Sequence, residues 1–255
     1  MFRYSAKMLK QERQAYILHQ LNLHNRLLSS DLSQQMGVSE DTIRRDLQEL
    51  ADRGKLVKVH GGALSNSFYH TFNAGRVYSA DKKKIIGRKA ASLIKDGMFV
   101  LTSGGTTIIE MAKELPPSLQ ATFITGSLAA AMEYVHHPNI EVIFIGDKLS
   151  KSSQITVGAE AILKIRQIKA DLCFLGVNAL DTEHGLTDND WEVVQVKQAM
   201  IAASQKVVAL TISEKINTHQ PIQVCPLQEL DVLVSELEPG HAMLQPYAAA
   251  GIKIL

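Results

Sequence analysis

The sequence predicts a chain of two parts, a small helical head that ends in a basic hairpin and a larger α/β body built on a parallel sheet. Residues 1–64 contain ten Lys and Arg against seven Asp and Glu, whereas the 255-residue chain has a net charge of only +1. Short helical patterns fill the head, and helical patterns alternate with short apolar strands in the body. A hydrophobic fraction of 45% suffices for packed cores and excludes a mainly disordered chain.

The first two helices of the head are predicted from apolar spacing and from their capping residues. The first covers 10–23, where apolar residues form a helical stripe. The serines and the aspartate at 29–31 are predicted to cap a second helix over 32–36. Gly37 ends that helix, because glycine adopts the left-handed conformation that follows a helix C-terminus.

The third helix is predicted over 40–52, with Ser39 as its N-cap. Its apolar residues recur at the spacing of one buried face, formed by Ile43, Leu47 and Leu50. At about 100° per residue, the opposite face points to solvent. That face contains Asp41, Arg44, Arg45 and Gln48.

A basic ribbon follows the third helix, because residues 55–62 alternate like a strand that runs into a tight Gly-Gly turn. This order of elements is typical of a winged helix-turn-helix, whose third helix enters the major groove of DNA. Two adjacent arginines alone more often form a solvated face, but the combined pattern predicts DNA binding. The predicted DNA-binding residues are Ser39, Asp41, Thr42, Arg44, Arg45, Gln48, Lys55, Lys58 and His60.

The body is predicted to begin at 79, after a polar linker over 65–78 that separates it from the head at 1–64. Several of its strands are apolar throughout, as in parallel sheets covered on both faces. Helices are predicted over 81–95, 107–115, 128–135, 159–168 and 191–204. Strands are predicted over 98–102, 122–125, 141–145, 172–177, 207–212, 232–235 and 252–255.

Two loops rich in glycine and hydroxyl residues follow neighbouring strands of the body. The sequence Ser103-Gly104-Gly105-Thr106-Thr107 follows the first strand, and Thr125-Gly126-Ser127 ends the second. Such loops and the helix starts behind them favour a phosphate-bearing ligand, although the same residues also serve simply as helix caps. The chain contains no Walker loop and no GxGxxG motif.

Several strings of the sequence are similar to those of a known family. The string 42–47 (TIRRDL) and the string 60–63 (HGGA), together with Gly185-Leu186-Thr187 and Val196-Lys197, resemble the DeoR-type bacterial repressors of sugar metabolism. The resemblance places the helix-turn-helix at about 27–46. It implies a sensor domain with the fold of ribose-5-phosphate isomerase, which binds a phosphorylated sugar or related metabolite and thereby releases the protein from its operator. The effector-binding residues that it and the loops indicate are Lys83, Ser103, Gly104, Gly105, Thr106, Thr107, Thr125, Gly126, Ser127, Lys197 and Lys215.

The sequence departs from the family pattern in both loops. Thr102 and Gly105 replace the first and fourth residues of the usual Asp-Ser-Gly-Thr-Thr, and Gly126 replaces an asparagine. Val193 stands where the family tends to have Glu, with Glu192 one position away. Loss of a carboxylate and an amide removes partners for sugar hydroxyls, so the sequence indicates a phosphate more than any specific sugar, and an altered or lost ligand stays open.

Other constellations are interpreted as structural. The acidic loop with Asp181, His184, Asp188 and Asp190 is interpreted as hydrated, so no metal site, cofactor or catalytic residue is predicted. Two cysteines, no signal sequence and no apolar run of membrane-spanning length predict a cytoplasmic protein. The resemblance implies that it is bacterial and associated with the nucleoid. The expected partners are operator DNA, a small effector and further copies of the chain in a homodimer or homotetramer, with no membrane. Two alternatives remain: a sugar-phosphate isomerase or transferase with an accessory head, and a constitutive DNA-binding protein whose body only oligomerises.

Overall fold

The computed structural model describes residues 8–24, 26–65, 78–151 and 153–255. The chain divides into two compact units, Met1–Tyr78 and Ser79–Leu255. Residues 66–77 of the predicted linker lie outside the described part of the chain. Among the described residues, no helix has both the length and the apolar character that crossing a bilayer requires.

The head contains three helices and a three-stranded antiparallel sheet, as a winged helix-turn-helix requires. The helices pack on a core that includes Ile17, Leu21, Ile43 and Leu47. Strand order in the sheet is β1-β3-β2. The elements are α1 (Lys10–His24), β1 (Arg26–Leu28), α2 (Ser29–Met36), α3 (Glu40–Asp52), β2 (Leu56–Val59) and β3 (Gly62–Ser65).

Two details of the head differ from the sequence prediction. Helix α2 begins at Ser29 instead of residue 32, because the extended Leu28 ends β1 and no side chain caps the helix. The hairpin turn lies at His60 and Gly61, while Gly62 already pairs with Leu28 and Val59 as the first residue of β3. Strand β1 has only three residues and no recognisable period, so the sequence did not reveal it.

Gly62 occupies a position of the hairpin at which a side chain has no room. A Cβ atom there would lie 2.0 Å from the backbone oxygen of Leu27, so Gly62→Ala should force β1 and β3 apart. We expect this overpacking to destabilise the head by about 1–3 kcal/mol. Hydrogen exchange of the head amides measures the effect, with Gly61→Asn as the control, since Gly61 has φ +76° and open space around it. Equal protection in the two variants would contradict the steric explanation.

The body is an α/β domain around a seven-stranded, wholly parallel sheet with the strand order β15-β14-β12-β9-β4-β5-β6. Its helices are α4 (Ala80–Ala91), α5 (Thr106–Lys113), α6 (Leu128–Val135), α7 (Ala159–Arg166), α8 (Trp191–Ala202) and α9 (Gln245–Ala249). The sheet strands are β4 (Phe99–Thr102), β5 (Thr122–Thr125), β6 (Glu141–Phe144), β9 (Ala170–Gly176), β12 (Ser204–Leu210), β14 (Val232–Val234) and β15 (Lys253–Ile254).

Helices cover both faces of the sheet, which explains the uninterrupted apolar strands. Leu101 and Ile124 pack in one core with α7 and α8, while their chain neighbours Val100 and Phe123 are equally buried and point to the other face. On that face, α4, α5 and α6 pack against one another in succession. The α/β fold class is thus confirmed.

Short antiparallel strands that the sequence prediction missed lie beside the main sheet. They are β7 (Lys148–Ser150), which pairs with β8 (Ile155–Val157), and β10 (Ala179–Asp181), β11 (Gly185–Asp188) and β13 (Ile222–Cys225), which form a second small sheet. With three or four residues each, they are too short to show a period of two.

The strand order of the main sheet reverses between β4 and β9. From this point β4, β5 and β6 follow one another in one direction, whereas β9, β12, β14 and β15 follow in the other. In open parallel sheets, ligands bind outside the carboxyl ends of the strands at such a switch point. The loops after β4, β9 and β12 are therefore the candidate ligand-binding loops of the body.

Candidate nucleic-acid interface and ligand site

The third helix of the head, α3, is anchored in the core by its apolar side chains. Ile43 and Leu47 are completely buried, and Leu50 nearly so. Ser39 adopts extended backbone and its Oγ accepts a hydrogen bond from the Thr42 amide at 3.3 Å, as an N-cap does. The N-terminus of α3 and its outer face are thereby presented to solvent.

A buried polar network joins α1 to α3 and was not visible in the sequence. Arg13 Nε donates to Asp46 Oδ2, and both side chains are almost wholly excluded from solvent. Gln14 Nε2 donates to Asp46 Oδ1 at 3.3 Å and to Glu49 Oε2 at 3.0 Å. Asp46, which follows Arg44 and Arg45 in the string 42–47, therefore points into the head, whereas the two arginines are exposed.

The predicted DNA-binding residues of α3 are exposed except for Thr42, which is half-buried, and their surroundings differ. Arg44 forms ion pairs with Glu40 at 3.1 Å and Asp41 at 3.5 Å within the helix. Arg45 is exposed and forms no hydrogen bond or ion pair with any residue in the described part of the chain. Of the two guanidinium groups, that of Arg45 is therefore the more readily available to a phosphate or a base.

The wing, which is the hairpin of β2 and β3, is hydrogen-bonded to α3. Lys58 Nζ in β2 donates to Gln48 Oε1 at 2.8 Å, and Gln48 Nε2 donates to Asp52 at 2.7 Å. Lys55 precedes β2 and His60 lies in the hairpin turn, and both are exposed. The helix and the ribbon thus form one continuous polar and cationic surface.

In the body, the loop after β4 ends in a helix N-terminus that lacks a side-chain cap. Gly105, with φ +116°, occupies the N-cap position of α5, and Thr106 and Thr107 begin the helix. Ser103 Oγ accepts from the Gly176 amide at 2.8 Å, which connects the loop after β4 to the end of β9. Amide groups in the first turn of an uncapped helix attract anions.

The loop after β5 uses its hydroxyl groups internally. Thr125 Oγ1 donates to the Thr102 backbone oxygen at 2.9 Å, and Ser127 Oγ accepts from the Ala130 amide as the N-cap of α6. A Cβ at Gly126 would lie 2.3 Å from Thr156 Oγ1 of β8. The β7–β8 hairpin, which the sequence did not reveal, therefore leaves no room for a side chain at the position where the family has an asparagine. Of the two loops, the one after β4 has the freer anion-binding groups.

Lysines converge on the same edge of the sheet. Lys197 of α8 is buried, and its Nζ donates to Asp188 Oδ2 at 2.7 Å and to the Gly176 oxygen at 2.9 Å. Lys215, which follows β12, donates to the Val177 oxygen at 2.9 Å. A cavity beneath the loops is lined by a set that includes Ser103, Gly104, Thr125, Gly126, Ser127 and Lys197. The other predicted effector-binding residues, Gly105, Thr106, Thr107, Lys83 and Lys215, lie outside its lining.

Burial lowers the pKa of two of these lysines. Burial, reinforced by the charges of Lys83 and Lys197, lowers the pKa of Lys215 to about 7. Burial also lowers the pKa of Lys83 to about 8, against an opposing effect of Glu110 and Glu214. Although burial of Asp188 acts in the opposite direction, Lys197 lowers its pKa. Burial thus disfavours the charged form of Lys83 and Lys215, and a bound anion would favour that form.

A winged helix-turn-helix joined to an α/β body with a cationic switch point is the construction of a ligand-responsive transcription regulator. The model of the DeoR-like helix-turn-helix domain matches residues 13–68, and the model of the DeoR C-terminal sensor domain matches residues 78–236. The chain belongs to the DeoR family of transcriptional regulators.

Similar proteins span the whole chain. The HTH-type transcriptional regulator GolR of Listeria innocua is 30% identical over 95% of this chain and 97% of its own length. The HTH-type transcriptional repressor GlcR of Bacillus subtilis is 32% identical over 97% and 96%. Among solved structures, ribose 5-phosphate isomerase A of Methanocaldococcus jannaschii is similar to 53% of this chain and 53% of its own, with a TM-score of 0.40 and 18% identity.

Proposed function

We propose that the protein represses a sugar-catabolism operon and that a phosphorylated sugar or related metabolite, bound in the body, releases it from DNA. The observation on which the ligand depends is the convergence of Lys83, Lys197 and Lys215 at the switch point of the sheet, where burial and the charges of the other two lysines lower the pKa of Lys215 to about 7. Repression is supported by the name of GlcR, a repressor similar to this chain over nearly its whole length.

A phosphate group matches the chemistry of this edge. A dianion would accept hydrogen bonds from the uncapped amides at the start of α5 and from protonated lysines. Lys197 is already paired with Asp188, whereas Lys215, with a pKa of about 7, would gain a full charge when a phosphate binds. The sugar would extend from the phosphate, and its hydroxyl groups would determine which sugar binds.

We propose that the head binds operator DNA through α3 and the wing, with the predicted set of exposed residues. Two heads in a homodimer, or four in a homotetramer, would read half-sites about 34 Å apart or multiples of that distance. The arrangement suits a bacterial cytoplasmic protein associated with the nucleoid. Binding of the effector would shift the population towards an arrangement that cannot span both half-sites.

The body is proposed to bind its ligand without turning it over. Isomerisation needs a positioned carboxylate base. The carboxylate in contact with Lys197, that of Asp188, is also held by the Asn178 side chain at 3.2 Å, and Thr102 stands where the family has an aspartate. Purified protein should therefore show no conversion of ribose 5-phosphate.

Release by a phosphosugar is tested with a duplex selected by the full-length protein from random DNA. Fluorescence anisotropy of this complex should fall when one member of a phosphosugar panel is added, while the same sugar without its phosphate leaves the complex intact. Failure of every phosphosugar to release or to stabilise the protein would favour the constitutive DNA-binding alternative. Absence of any sequence-preferring, salt-sensitive complex would contradict the repressor itself.

Replacing Arg45 with alanine should weaken binding to the selected duplex by about 10- to 100-fold, which corresponds to roughly 1–3 kcal/mol for an arginine contact. The head should stay folded, because Arg45 has no intramolecular partner among the described residues. The matched control is Arg88→Ala, which removes an exposed arginine from α4 of the body. An equal loss in both variants would show that net charge, and not the face of α3, determines affinity.

A further inference from the structure

Away from the lysines, three potential metal ligands from two segments of the chain meet at one point. Asp181 ends β10, His184 lies in the turn before β11, and His219 belongs to the loop that follows Lys215. One ligand atom of each lies within 4.8 Å of the others. In the sequence, Asp181 and His184 lie among other loop carboxylates. His219 is 35 positions after His184, so nothing in the sequence indicated that it lies near them.

The carboxylate is oriented by the backbone. Asp181 Oδ1 accepts the amides of Glu183 at 3.0 Å and His184 at 2.6 Å. Its second oxygen, Oδ2, lies 2.9 Å from His184 Nδ1 and 3.4 Å from His219 Nδ1. Oδ1 is thus fixed by two backbone amides and also lies 3.2 Å from His184 Nδ1, while Oδ2 faces both imidazole nitrogens. In metal sites, outer hydrogen bonds of this kind orient the ligand.

The distances suit a shared transition metal ion. Two ligands of a tetrahedral zinc ion with bonds of about 2.0–2.1 Å lie about 3.3 Å apart. The two separations between Asp181 Oδ2 and the imidazole Nδ1 atoms, 2.9 and 3.4 Å, lie on either side of this value, and the two rings are stacked with centroids 4.6 Å apart. Both histidines are partly exposed, at 43% and 61% of their side chains, so an ion has access from solvent.

We propose that Asp181, His184 and His219 form a binding site for a divalent transition metal ion of the zinc class. The ion would replace the protons shared between the carboxylate and the imidazoles. Nitrogen and carboxylate ligands with no thiolate suit zinc, cobalt and nickel, and a water molecule would complete the coordination.

The proposed ion would join the β10–β11 hairpin to the loop after Lys215. That loop is already attached to the hairpin, because the Thr218 amide donates to the Leu180 oxygen at 3.2 Å and Thr218 Oγ1 donates to the Lys215 oxygen at 2.7 Å. A bound metal would therefore fix the segment that holds Lys215. This consequence, unlike the metal site itself, depends on the proposed anion site.

Zinc chloride alone is the probe, titrated calorimetrically into the full-length protein in a non-chelating buffer. We expect one ion per chain, with affinity reduced by at least about tenfold in His219→Gln and in Asp181→Asn. The Asp181→Asn variant would keep the Oδ1 acceptor for the two amides and lose only the charged ligand, so the fold should persist. His136→Gln, which removes an exposed histidine at the end of α6, is the control and should bind as the wild type does.

Cobalt(II) gives a second readout, because its visible absorption reports nitrogen and oxygen ligands directly. Absorption bands that appear with wild type and His136→Gln but not with His219→Gln would support the site. No saturable binding to wild type, or equal binding to His219→Gln, would overturn it. Release of DNA by a phosphosugar is unaffected by either result in metal-free buffer, so the proposed function succeeds or fails independently.

Discussion

Replacing Asp46 with alanine is expected to destabilise the head by about 3–5 kcal/mol and to abolish DNA binding. Asp46 is 2% exposed, and its loss leaves the buried guanidinium of Arg13 without its carboxylate partner. Because Gln14 also bonds to Asp46, the contact between α1 and the base of α3 loses two hydrogen bonds at once. A head of this size has little more stability than this to lose.

Hydrogen exchange of the head amides and binding to the selected duplex measure this effect together. Asp31→Ala is the matched control, since it removes an exposed carboxylate from α2 of the same head. The double variant Arg13→Met, Asp46→Leu should regain most of the lost protection, because an apolar pair can replace a buried ion pair. Protection unchanged in Asp46→Ala would show that the ion pair contributes nothing to the head.

Affinity for a phosphosugar is expected to fall by roughly 100-fold between pH 7 and pH 9. The pKa of Lys215 is about 7 and that of Lys83 about 8 in the ligand-free protein, and a bound dianion raises both. Binding near pH 8 must therefore take up about one proton, and it weakens as the lysines lose their charge. The phosphate itself stays dianionic across this range, since its second pKa is about 6.

Calorimetry in two buffers of different ionisation enthalpy gives the proton uptake directly. Lys215→Met should bind more weakly and show a flatter pH profile, whereas the exposed Lys206→Met should behave as the wild type. The stability of the ligand-free body should depend on pH in the opposite direction to the affinity for the phosphosugar. Its lysines have a lower pKa folded than unfolded, so stability should rise from about pH 7 towards pH 10. Affinity independent of pH would contradict the assignment of Lys83 and Lys215.

Local signals were sufficient for much of the fold. The helix α3 could be predicted from residues close together in the chain: Ser39 is a typical N-cap, and the spacing of Ile43 and Leu47 indicates a buried helical face. The central strands were recognisable as apolar runs between helices. Strands such as β8 were not, because three residues show no period, and its Thr156 proved to determine what surrounds Gly126.

The contacts that define the sites depend on residues far apart in the chain. Nothing near Asp46 indicates that Arg13, 33 residues earlier, will be its partner. Likewise, only the fold brings His219 to Asp181. The sequence could propose residue types suited to a ligand, whereas the effect of Lys83 and Lys197 on the pKa of Lys215 depends on distances that arise when the strands pair.

The hydrogen bond from Lys58 to Gln48 has a consequence for how the head discriminates among DNA sequences. It links the ribbon to α3, so a head that binds DNA as proposed requires a duplex whose major groove and adjacent backbone lie at a matching spacing. Base pairs that no side chain touches then influence affinity through the groove width and stiffness they confer. Operator mutations between the contacted positions should thus alter repression, with stiff A-tracts and flexible TA steps having unequal effects.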